Sequence, residues 1–65
     1  MSLTVEEVLE NAEYNLTNSK LPFQVVIGKR QLTNYKIAKE LGAKDEDDWS
    51  DWEDKVEQYK EETNE

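Results

Sequence analysis

Residues 21–32, LPFQVVIGKRQL, decide the fold. Read with a period of two, Phe23, Val25 and Ile27 share one side of an extended segment, and the β-branched run at 25–27 favours that form. Pro22 forbids a helix interior at its position. Gly28-Lys29 then supplies the central pair of a type II′ turn, with glycine first, and RQLT over 30–33 returns as the second strand. The alternative is an extended connector running straight into the next helix. The hairpin is the expectation, and because two strands alone are marginal in water it must lie on helices or meet another strand.

Helical patterns flank this segment on both sides. Thr4 followed by Glu7 is a capping box, and Val5, Val8, Leu9, Ala12 and Leu16 then form one helical stripe. Asn, Thr and Ser in NLTNSK compete for their own backbone groups and end that helix, which is expected over 4–16. A second helix is expected over 33–41. Thr33 or Asn34 caps it, Ile37, Ala38 and Leu41 form its apolar face, and Gly42 follows as a C-terminal cap. A third is expected over 46–60, opening in an acidic run suited to a helix N-terminus. Trp49, Trp52, Val56 and Tyr59 recur along it at i, i+3, i+7 and i+10, a narrow apolar stripe among acids. Residues 61–65 are expected to fray. The fold class is therefore mainly α: one small three-helix domain with a short extended or β-hairpin segment between helices one and two.

Composition narrows the functions open to such a chain. Its 65 residues contain neither cysteine nor histidine, which removes disulfides, thiolate nucleophiles and the commonest general base and metal ligand. A chain of this size buries only about 60% of the surface it exposes when unfolded, so self-association or a protein partner is the default expectation. No basic leader opens the sequence and no apolar run is long enough to span a bilayer, so no membrane contact is expected and the cytoplasm is the expected location.

The net charge of −8 is unevenly placed. Residues 1–19 carry −4, residues 20–43 carry +4, and residues 44–65 carry −8. The basic middle holds Lys20, Lys29, Arg30, Lys36 and Lys39 against Glu40 alone. Opposite charges of this kind are satisfied within one molecule or between two.

Three chemistries find partial matches in these residues. LTNYKIAKELGA resembles the first half of a DNA-binding helix-turn-helix, with Ala38 and Gly42 at the spacing of its small residue and turn glycine and Ile37 and Leu41 at its apolar positions. The resemblance implies a regulator whose Lys29, Arg30, Lys36 and Lys39 meet phosphate. It covers about a dozen residues, however, and the helix that would enter the groove opens KDEDDWSD, which phosphates at about 1.7 Å axial spacing repel. Direct DNA binding is therefore not expected. DEDDWSDWED offers Asp45 and Asp47 to calcium, but Trp49, Ser50 and Val56 stand where an EF-hand loop needs an oxygen ligand, a glycine and a glutamate. No Gly-rich phosphate loop and no nucleophile–base pair is present, and a helical chain this short leaves little room for a substrate pocket of about 300 Å³. No enzyme activity, cofactor, metal or small-molecule substrate is expected.

What remains is interaction. The expected function is a non-catalytic acidic accessory protein that self-associates or docks on a protein partner. Its contact residues would be the stripe Trp49, Trp52, Val56 and Tyr59, together with Phe23, Val25 and Ile27 on the strand edge. The alternative is a phage- or mobile-element-borne inhibitor that imitates nucleic acid, with Asp45, Asp47, Asp48, Asp51 and Glu53 as its contact surface.

Overall fold

The structure, a computed structural model, describes residues 3–63. It holds three helices: α1 at Val5–Thr17, α2 at Pro22–Leu41 and α3 at Trp49–Thr63. α1 begins with the expected capping box. The Glu7 amide donates to Thr4 Oγ1 at 3.2 Å and the Thr4 amide to Glu7 Oε1 at 3.0 Å. It ends where the Asn18 amide donates to the Tyr14 carbonyl at 2.8 Å.

The hairpin is not formed. Residues 22–41 are one continuous helix, and among the described residues the only β pairing is an isolated bridge between Thr4 and Asp48. Each feature that favoured the hairpin has a helical use. Pro22 is the first helical residue, where its missing N–H costs nothing and its fixed φ suits the helix. Leu21 before it is extended, as a residue preceding proline prefers. Gln24 Oε1 accepts from the Lys20 amide at 2.8 Å, satisfying a backbone donor at the helix mouth. Val25, Val26 and Ile27 lose less than about 1 kcal/mol each in helix propensity, which tertiary contact overrides.

Gly28 is no turn residue. A Cβ placed there would lie 2.9 Å from Leu16 Cγ and 3.1 Å from the Ala12 carbonyl oxygen, so the glycine is what lets α1 approach α2. Beside it, Asn15 Nδ2 donates to Gln31 Oε1 at 2.8 Å, tying the two helices together. Thr33 and Asn34, the expected caps, are interior to α2, and the Thr33 hydroxyl donates back to the Lys29 carbonyl at 2.9 Å. The C-terminus matches expectation. Gly42 adopts φ 111°, its amide donates to the Lys39 carbonyl at 3.1 Å, and the Ala43 amide reaches the Ala38 carbonyl at 3.0 Å. That pair of bonds is a Schellman motif, and it turns the buried Ala43 back onto the core.

The connection 42–48 then caps α1 from outside. The Val5 amide donates to the Asp47 carbonyl at 2.9 Å, the Glu6 amide to the Asp45 carbonyl at 3.1 Å, and the Trp49 amide to the Leu3 carbonyl at 2.6 Å. A helix leaves its first amides unpaired, and here the carbonyls of a distant loop take two of them. Because residues 45–48 are spent on this contact, α3 starts at Trp49 rather than at 46. It continues through 61–63, whereas Asn64 and Glu65 of the expected frayed tail lie outside the described residues.

The core is small. Val5, Ala38, Ala43 and Val56 form its centre, with Tyr35, Ile37, Trp49 and Trp52 packed against it. Val8 and Ala12 are buried on the α2-facing stripe of α1. No fully buried side chain among the described residues is larger than valine.

Candidate interaction surface

The tryptophan stripe faces inward more than outward. Val56 is 1% exposed, and Trp49, Trp52 and Tyr59 are half-buried. Trp52 is held on two sides. Its indole Nε1 donates to Asp47 Oδ2 at 3.1 Å, and Lys55 Nζ sits 4.5 Å from the centre of its ring. That distance is a cation–π contact. One flank of the stripe lines an open groove of about 290 Å³ between Leu41, Trp52, Lys55, Gln58, Tyr59 and Glu62.

The five acidic candidates separate into two groups. Asp45 pairs with Lys39 at 3.0 Å, and this hydrogen bond is the main cause that raises the lysine pKa. Asp47 Oδ2 accepts from the Lys44 amide at 3.0 Å as well as from Trp52, while the Asp47 amide returns a bond to the Lys44 carbonyl at 3.0 Å. The Lys44 amide, and after it the Trp52 indole, hold the Asp47 carboxyl below the usual aspartate range against an opposing desolvation. Asp48 accepts from the Ser50 hydroxyl at 3.0 Å. These three carboxylates shape the loop that caps α1. Asp51 and Glu53 instead project from α3 into solvent.

The strand-edge candidates occupy different faces of α2. Phe23 and Ile27 are 58% and 43% exposed, whereas Val25 is half-buried. Val26, which a period of two had set aside, joins the exposed face at 52%, and Leu21 ahead of the helix is also 52% exposed. The signal for Val26 was present in the sequence, since 23, 26, 27 and 30 follow the helical period. α3 covers the other half of the helix, where Ile37 and Ala38 meet its stripe. The N-terminal half is left with a bare apolar face.

The segment that carries this face is rich in cations. Residues 20–39 contain no Asp or Glu, and among the described residues Lys20, Lys29, Arg30 and Lys36 meet no carboxylate. Lys39 alone of the basic middle is paired, with Asp45. The helix-turn-helix resemblance does not extend to geometry. Residues 42–48 separate α2 from α3, against the three or four residues of that motif's turn, and the helix that follows is acidic. No helix among the described residues is long and apolar enough to cross a membrane, and no group of three or more metal-ligating side chains gathers there.

Comparison with known proteins finds no matching family model, no matching curated protein and no matching solved structure.

Proposed function

We propose that this chain is a non-catalytic interaction module that docks on a protein surface, its own or another's, through the apolar face at the start of α2. One observation carries the reading: Leu21, Phe23, Val26 and Ile27 stand in solvent while the buried core holds nothing larger than valine. A chain with so little apolar material gains stability by burying these side chains, yet it leaves them outside. Large side chains clustered with a charged rim are the composition of a protein contact. The tryptophan stripe contributes to the module mainly by fixing α3.

A second reading, an acidic inhibitor seated in the basic groove of a nucleic-acid-binding protein and carried by a phage or mobile element, rests on the exposed Asp51 and Glu53. Site-specific photo-crosslinking in cells separates the two. A photoreactive phenylalanine analogue replaces Phe23 in one variant and Glu53 in another. Docking through α2 gives a covalent protein adduct from position 23 that disappears when Val26→Asp is added. An adduct from position 53 alone supports the inhibitor. Absence of any adduct at position 23 refutes the α2 reading.

A further inference from the structure

We infer that the partner of the α2 face is an acidic amphipathic helix of another protein, one carrying an aliphatic stripe bordered by Asp and Glu; this rests on the docking function proposed above. The inference starts from charge that the molecule leaves unspent. The chain holds sixteen acidic residues, yet none among the described residues neutralises Lys20, Lys29 or Arg30. Lys20 precedes the apolar face, Lys29 lies beside it, and Arg30 falls on the helical line through Phe23, Val26 and Ile27. A complementary surface therefore offers apolar groups to three or four side chains and carboxylates to three cations.

The other occupants match less well. A second copy joined face to face about a two-fold axis brings the cations of one face toward those of the other, and like charges across an interface cost several kcal/mol. The outward side of α3 is acidic enough, but Ser50, Asp51, Glu53, Asp54 and Glu57 present no aliphatic stripe to fill the apolar centre. An anionic lipid surface would meet the same cations, but its broad footprint would also take in the exposed Glu6, Glu7, Glu10 and Glu13 of the neighbouring helix, which a single helix along α2 need not approach. A helix packed along this face matches it in apolar pattern and in charge.

The test is a titration of the isotopically labelled protein, followed by backbone amide NMR at physiological salt, where screening over about 8 Å suppresses the long-range repulsion from the net charge. Two designed helical peptides serve as probes. They share one leucine–isoleucine stripe, flanked by glutamate in one and by lysine in the other. The glutamate peptide shifts the amides of residues 20–30 and binds at least about tenfold tighter than the lysine peptide. Val26→Asp removes that response, and a K29E/R30E double variant reverses the preference between the peptides.

Equal or tighter binding of the lysine peptide overturns the acidic partner while leaving protein docking in place. No response at residues 20–30 to either peptide overturns it too. Concentration-dependent shifts at the same residues without any peptide assign the face to a second copy, which also overturns the inference but keeps the docking reading. Shifts there with phosphatidylserine–phosphatidylcholine vesicles, and none with the peptides, overturn both.

Discussion

Replacing Gly28 by leucine is expected to destabilise the protein strongly. The site leaves no room on the α1 side: a bare Cβ already comes within 3.1 Å of the Ala12 carbonyl oxygen and of Asn15 Cβ, and 2.9 Å from Leu16 Cγ. The Leu16 end can rotate away, but the Ala12 carbonyl belongs to the α1 backbone and moves only with the whole helix. Overpacking of this kind costs about 1–3 kcal/mol and sometimes more. A domain of this length has roughly 3–10 kcal/mol in total, and the propensity gained by removing glycine returns only about 0.8 kcal/mol. Gly28→Ala is the informative companion. It gains about the same propensity but puts its Cβ against the same Leu16, Ala12 and Asn15 atoms, so it also destabilises, by less than leucine does. A glycine held in a turn at positive φ would behave differently, because alanine and leucine would then be strained alike. Thermal melts followed by far-ultraviolet circular dichroism separate the cases. A Gly28→Leu variant that melts with the wild type contradicts the close α1–α2 contact.

The second large effect is expected at Val56. This side chain is the buried part of the α3 stripe, in contact with a core of Val5, Ala38 and Ala43. Val56→Asp places a carboxylate where only apolar groups meet it, a change that costs several kcal/mol whether the group ionises or takes up a proton. The expected result is loss of α3 docking, with the emission of Trp49 and Trp52 moving toward that of tryptophan in water. Val56→Thr keeps the volume and adds one hydroxyl, so it falls between the two. Wild-type emission and stability in Val56→Asp would show that α3 does not depend on this contact.

The reading of the sequence succeeded where a single local interaction decides the structure. The Thr4–Glu7 box and the Gly42 cap are chemical signals confined to a few residues, and both appear where expected. The apolar stripe of α3 was legible for the same reason, since its spacing matches one period only. Residues 21–32 failed because 23, 25 and 27 fit a strand while 23, 26 and 27 fit a helix, and nothing local separates the two. What decides between them is Gly28 against Ala12 and Leu16, contacts sixteen and twelve residues back along the chain. The candidate site inherits the same error. Val25 entered it and Val26 was left out, because exchanging one period for the other moves neighbouring side chains to different faces. The acidic surface was legible as composition, but Asp45, Asp47 and Asp48 are drawn into a loop whose partner is the N-terminus of α1, and no pattern in the run DEDD announces that.

One helix passing unbroken through Gly28 is what puts Phe23, Val26 and Ile27 on a single exposed face. Backbone NMR of residues 22–41 tests it most directly. The result predicted is helical secondary shifts throughout, with contacts between Hα and the amide three residues on running without a gap from Phe23 across Gly28 to Arg30 and beyond. Extended shifts on both sides of Gly28, with close Hα–Hα contacts between Val26 and Gln31 or between Gln24 and Thr33, would restore the hairpin and remove the surface on which the function rests.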